Sequence, residues 1–193
     1  DQQVDWGKLQ DSLHKVVGDS VNIRNMQPDV VEVRPRELEC DVVRFQNNKE
    51  KWVALVGLLN GHPYEIFTGL QDDEEGIMLP KSVTKGKIVK TVLSEGAKRY
   101  DFQFVNKRGY KITVEGLSEK FNPEYWNYAK LISGVLRYRM PIKHVIKLVS
   151  QLQLTSESIN TWKVGVERAL KNYLKDDELP VSCSDEQHDG GEQ

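Results

Sequence analysis

The sequence predicts an α+β fold: an antiparallel sheet of about six strands with three C-terminal helices packed on one face, plus a short N-terminal helix. Three observations carry this. Between residues 38 and 114, segments of strand length either alternate apolar and polar residues or run apolar throughout, and turn residues separate them. From Asn122 onward the apolar residues recur at helical spacing instead. The strands form one run and the helices another, an order that sets helices against an antiparallel sheet rather than into βαβ units.

Along the chain, Trp6, Leu9, Leu13, Val16 and Val17 share one face of a short helix that stops at Gly18. Residues 22–36 have weak periodicity and contain Pro28 and Pro35, and are expected to be a linker. Leu38 to Gln46 reads as the first strand, ended by Asn47-Asn48. Lys51 to Leu59 is apolar on both faces, as in a central strand covered on both sides. Asn60-Gly61 is a hairpin turn, because both residue types tolerate the positive φ it needs. His62 to Thr68 returns with Tyr64 and Ile66 on one face. An acidic loop over 71–76 leads to a second β unit near Gly86, with a strand from Lys87 to Ser94 and a turn at Glu95-Gly96. Tyr100, Phe102 and Phe104 then alternate with Asp101, Gln103 and Val105; after Asn106-Lys107-Arg108-Gly109, Tyr110, Ile112 and Val114 alternate with Lys111, Thr113 and Glu115.

Asn122-Pro123-Glu124 combines an N-cap, a proline at the first helical position and an acid in the first turn. That helix points Tyr125, Tyr128, Ala129, Ile132, Val135 and Leu136 inward. Pro141 opens a second, with Ile142, Val145, Ile146, Val149 and Leu152 on one stripe. Thr155 or Ser156 caps a third, with Ile159, Trp162, Val166, Ala169, Leu170 and Tyr173 inward. The expected organisation is an N-terminal helix and linker over 1–33, an α+β domain over 34–175, and a disordered acidic tail over 176–193 carrying seven acids and no bases.

With 193 residues and 38% hydrophobic content, the chain has material for one substantial core. No stretch approaches the ~20 apolar residues of a membrane span, so no membrane role and a cytoplasmic location are expected. A net charge of −2 disfavours a strongly basic nucleic-acid binder. The start at Asp1 rather than Met is that of a fragment or a trimmed product, compatible with a removed signal peptide.

Candidate chemistry is sparse. There is no Gly-x-Ser-x-Gly elbow, phosphate-binding loop or dinucleotide fingerprint. Cys40 sits in a strand pattern and reads as a small buried hydrophobe, while Cys183 lies among carboxylates that would raise its pKa. His14, His62, His144 and His188 share no metal-ligand spacing, and His144 falls on the polar side of its helix. No catalytic, cofactor-binding or metal-ligating residue is assigned. The one candidate surface is basic. From Lys81 to Lys111 there are nine Lys/Arg and two acids, and Lys98, Arg99, Lys107, Arg108 and Lys111 interleave with aromatics in the hairpin 85–111. Arg108-Gly109-Tyr110 begins like an RNA-recognition strand motif, but Lys111 and Ile112 depart from it. Alternation puts Tyr100, Phe102, Phe104 and Tyr110 on apolar faces, expected beneath the helices and closed to base stacking. Only weak, non-specific affinity for oligonucleotides is expected, worse than ~10⁻⁵ M at physiological salt.

Four segments have more particular wording: Arg34-Pro35-Arg36-Glu37-Leu38-Glu39-Cys40-Asp41-Val42-Val43-Arg44-Phe45 with Glu50-Lys51-Trp52-Val53; Gly57-Leu58-Leu59-Asn60-Gly61-His62-Pro63-Tyr64-Glu65-Ile66-Phe67-Thr68-Gly69; Tyr125-Trp126-Asn127-Tyr128-Ala129-Lys130-Leu131-Ile132-Ser133-Gly134-Val135-Leu136-Arg137 before Met140-Pro141; and Asn160-Thr161-Trp162-Lys163 with Val166-Glu167-Arg168-Ala169-Leu170. Together they resemble the C-terminal accessory region of adenosylcobalamin-dependent (class II) ribonucleotide reductases, the TSCPD-type domain in its longer variant with an inserted hairpin, over residues 34–175. The resemblance implies a role in deoxyribonucleotide synthesis. It places the cobalamin-initiated radical chemistry in a separate α/β barrel, which would be this chain's partner in cis or in trans. Neither that barrel nor the family's terminal Cys-rich ribbon is present in these residues, so no catalytic residue carries over. Adenosylcobalamin belongs, on this reading, to the parent enzyme and not to this chain. The expectation is a non-catalytic accessory or regulatory domain, inactive alone. The alternative is a nucleic-acid-binding module using the hairpin 85–111.

Overall fold

The computed structural model describes residues 30–174 except Asn48, together with Asp5, Gly7 and Lys8. Apart from Gly7 and Lys8, the helix expected over 6–17 lies outside the described residues, as does the acidic tail. The predicted fold class is observed: six antiparallel strands followed, among the described residues, by four helices.

The strands are β1 (Glu37–Gln46), β2 (Lys51–Leu59), β3 (His62–Leu70), β4 (Lys85–Val92), β5 (Lys98–Val105) and β6 (Lys111–Val114). Their order is β3-β2-β1-β4-β5-β6, so two three-stranded meanders lie side by side with β1 against β4. The β2–β3 turn forms as its residues dictate, with φ of 52° at Asn60 and 78° at Gly61. β4 stops at Val92 rather than Ser94, because the Glu95-Gly96 turn takes Leu93 out of the ladder.

The helices are α1 (Leu117–Lys120), α2 (Pro123–Arg137), α3 (Ile142–Ser150) and α4 (Glu157–Lys171). The Asn122 side chain accepts from Glu124 N and that of Ser156 from Ile159 N, so both side-chain caps form where the sequence placed them. The single turn α1 was not anticipated. It follows Gly116 at φ 66°, whose N–H is held by the Asp101 carboxylate at 3.0 Å, and it buries Leu117.

The sheet is strongly coiled. In a flat sheet β3 and β5, four strands apart, would be separated by roughly 19 Å at ~4.8 Å per strand. Instead the rings of Phe67 on β3 and Tyr100 on β5 lie 5.7 Å apart. Trp126 of α2 closes the gap, stacked on Phe67 at 4.7 Å and tilted against Tyr100 at 5.9 Å. The coil divides the core in two. Inside it, Val53, Leu55, Ile88, Phe102 and Phe104 meet Leu117, Phe121 and Trp126. The connection from β3 to β4 adds Ile77, Leu79 and Val83 to this inner core, so it is not merely a polar loop. Outside it, Phe45, Trp52, Ala54, Val56 and Ile66 pack under α3 and α4. Thus β2 is covered on both faces, as its composition requires. α2 does more than cover a face. Tyr125, Ile132 and Leu136 join the outer core and Trp126 and Ala129 the inner one, while Ser133 Oγ accepts Ile66 N–H from β3, which has no neighbouring strand on that side.

The turn after α4 is tied to β1 by Tyr173, whose hydroxyl donates to Asp41 Oδ2 at 2.7 Å. Burial, and then this hydrogen bond, push its pKa well above the ordinary 10.0. A raised folded pKa means the contribution to stability is intact below pH 10.0 and is lost as pH rises through the folded value, because the unfolded phenol ionises first. Tyr173→Phe should therefore show a shallower fall in Tm above pH 10 than the native chain. Parallel alkaline melting profiles would refute this.

Candidate functional site

The structure separates the residues of the expected basic surface. Lys98 and Arg99 begin β5, whereas Lys107 and Arg108 lie in the turn after it and Lys111 begins β6. Lys98 is paired with Val92 and Val105 with Lys111, so the two groups sit at opposite ends of a strand roughly 23 Å long at ~3.3 Å per residue. Arg99 is further engaged by Asp101 at 3.0 Å and Glu115 at 3.8 Å. Lys107, Arg108 and Lys111 are all exposed. The aromatics divide as well. Phe102 and Phe104 are buried, mainly by the curl of the sheet, and Tyr100 is half-buried. Tyr110 departs from expectation: it is 67% exposed, because β6 is a four-residue edge strand with no helix over its start.

A different basic site forms at one mouth of the coiled sheet. Its base is a buried ion pair between Arg34, in the segment expected to be linker, and Glu65 of β3. Arg34 Nε donates to Oε2 at 2.8 Å and Nη2 to Oε1 at 2.6 Å, with side-chain exposures of 1% and 4%. The remaining guanidinium hydrogens go to the carbonyls of Pro35, Arg36 and Ile88. Glu65 can lie across β2 only because its partner there is Gly57: a Cβ at that position would stand 2.6 Å from Glu65 Cγ. The Arg34 guanidinium also lies 5.4 Å from the centre of the Tyr100 ring.

Above this pair one row runs from the segment before β1 across β4 to β5. Lys90 N–H bonds the Arg36 carbonyl at 2.8 Å, and Lys90 is the cross-strand partner of Tyr100. Because side chains alternate, Lys90 shares the inner face with Ile88, two residues earlier. Lys98 stands two pairs further out on the same face, opposite Val92. From the end of α2, Arg137 places its guanidinium 5.3 Å from the centre of the Tyr64 ring, and its buried Nε has no hydrogen-bond partner. Arg34, Arg36, Lys90, Thr91 and Val92 line a concavity of about 380 Å³. Burial lowers the pKa of Lys90, and repulsion by Lys98, Arg34 and Arg137 lowers it further against the opposing pull of Glu65. Arg36 and Lys90 thus line a mouth that Lys98 and Arg137 flank, and its one buried carboxylate, Glu65, is already neutralised by Arg34.

Sequence reasoning included Lys90 and Lys98 in the basic run from Lys81 to Lys111 but did not join them to Arg36 or Arg137. Two signals were present. Lys90 continues the inward stripe of Ile88, and Glu65 lies on the same face as Phe67 as the one acid in its strand. Charges in register with a core stripe have to meet partners, but the partners are remote in sequence.

Other candidate groups fall as follows. Cys40 is buried in β1, and burial followed by the charge of Glu65 raises its thiol pKa. His144 is exposed on α3. His14, His188 and Cys183 lie outside the described residues. Among the described residues no group of three or more His, Cys, Asp or Glu is placed to hold a metal ion, and no helix is long and apolar enough to cross a membrane.

A family model described as the NrdJ homologue C-terminal domain matches residues 38–175. The chain belongs to that family. The match spans the sheet and all four helices and starts just after Arg34 and Arg36. Membership of this NrdJ-related domain family associates the chain with ribonucleotide reductase. Comparison with curated proteins and with solved structures finds no match.

Proposed function

We propose that this NrdJ-related domain is a non-catalytic accessory or regulatory unit, of TSCPD type, of an adenosylcobalamin-dependent ribonucleotide reductase. It acts with the enzyme's catalytic barrel, in cis or in trans, in the cytoplasm. The observation that carries the reading is the family match over residues 38–175. The chemistry of the described residues supports it. Ribonucleotide reduction by a thiyl radical needs a thiol that meets substrate, and Cys40, the cysteine of the described residues, is enclosed in the inner core with its thiol held protonated. The proposal leaves adenosylcobalamin to the barrel.

The test has two arms. The chain alone, given adenosylcobalamin and a dithiol, should show no ribonucleotide reduction above a no-protein control. Added to or fused with a catalytic barrel of the same reductase class, it should bind and alter turnover. Reduction by the isolated chain, or neither binding nor an effect on the barrel, would overturn the proposal.

A further inference from the structure

We propose that the basic mouth formed by Arg36, Lys90, Lys98 and Arg137 binds the phosphate chain of a small polyanion, of the di- or triphosphate class. This goes beyond the accessory role and does not depend on a catalytic partner. Arg36, before β1, and Lys90, on β4, line the concavity, and Lys98 on β5 and Arg137 at the end of α2 flank it closely enough to repel Lys90, so the cations come from four separate elements. Such convergence is imposed by the fold and is not the scatter of a solvated surface. Among the described residues lining the concavity there is no carboxylate, and both oxygens of nearby Glu65 are taken by Arg34. A ligand carrying three or four negative charges would neutralise the four cations. Lys90 lines the concavity and is crowded by the like charges of Lys98, Arg34 and Arg137, so it gains from an anion there. Guanidinium groups suit bidentate phosphate contacts, and Lys90 supplies a compact charge at the centre.

The geometry also bears on the rest of the ligand. Tyr100 is half-buried and already faces the Arg34 guanidinium on one side and Trp126 on another. Tyr64 is buried, with its hydroxyl bound to the Val31 carbonyl. Among the described residues no free ring is offered to a base here, so the phosphates carry the recognition, and a nucleoside attached to them would extend towards solvent past Val92, which is 65% exposed.

The experiment is calorimetric titration of the full chain at low ionic strength with tripolyphosphate, ATP and adenosine. Saturable binding of tripolyphosphate with one site per chain is expected, with adenosine silent. Equal affinity for ATP identifies the phosphate chain as the whole ligand, and tighter binding of ATP identifies a nucleotide; both support the proposal. Lys90→Met should weaken binding at least about tenfold, as loss of a charge-assisted contact does, while its Tm holds or rises because a repelled ammonium is gone. Lys98→Met, at an exposed position, should weaken binding without touching the fold and serves if Lys90→Met misfolds. Lys107→Met with Arg108→Met, at the far end of β5, should leave affinity unchanged. No saturable binding, native affinity in both Lys90→Met and Lys98→Met, or an equal loss in the Lys107/Arg108 variant would overturn the proposal, the last by showing a diffuse field in place of a site.

Discussion

Trp52→Ala should cost about 3–5 kcal/mol and lower the Tm by roughly 6–20 °C. Trp52 is 0% exposed at the point where β1, β2 and α2 meet. It stacks on Phe45 of β1 at 5.9 Å and receives Tyr125 of α2 edge-on at 4.9 Å. Truncation leaves a cavity bounded by strands whose registry the ladder holds rigid, so the site cannot collapse around the missing ring. A domain with ~5–15 kcal/mol in total would lose much of its margin. The control is Tyr110→Ala, also an aromatic truncation in the β region but at a residue 67% exposed, which should stay within about 0.5 kcal/mol. Equal Tm losses in the two variants would contradict this account of the outer core.

Glu65→Ala should destabilise by a similar amount, about 3–5 kcal/mol, for a different reason. The Arg34 guanidinium would keep its bonds to the Pro35, Arg36 and Ile88 carbonyls but would be left buried at 1% exposure with no counter-charge. Arg34→Met should be comparably severe, leaving the Glu65 carboxylate buried at 4% exposure and three carbonyls with lost donors. Combining Arg34→Met with Glu65→Leu removes both charges, and hydrophobic replacement of a buried pair is often close to neutral. The double variant should therefore lose clearly less than the sum of the single losses in urea unfolding. Additive losses would mean that the two residues stabilise the fold independently, against the bidentate geometry.

The two cases differ in how far they could be foreseen. Trp52 lies in a segment apolar on both faces, and that pattern is sufficient to place it in a covered strand. Nothing local marks Arg34 as buried. It lies in a proline-containing stretch of weak periodicity, and its partner is 31 residues away on the far side of the coiled sheet. The basic hairpin shows the converse. Lys98, Arg99, Lys107, Arg108 and Lys111 are neighbours in sequence, yet an eight-residue strand places them at two ends. Tyr110 has the alternation of an inward residue, and only the absence of a covering element leaves it exposed.

By itself, the sequence determined what short-range sterics and hydrogen bonding control. The Asn60-Gly61 turn follows from positive φ, the caps at Asn122 and Ser156 from orphan N–H groups, and the strands and helices from their apolar periods. Family membership was legible in the wording of the same segments. Only the tertiary structure decided how far the sheet coils, how Trp126 bridges Phe67 and Tyr100, and which cations share the mouth above Glu65. Those outcomes depend on packing between surfaces tens of residues apart in the chain. Each contact there is set by the summed twist of the strands and the fit of α2 against them, and no local window of sequence contains either quantity.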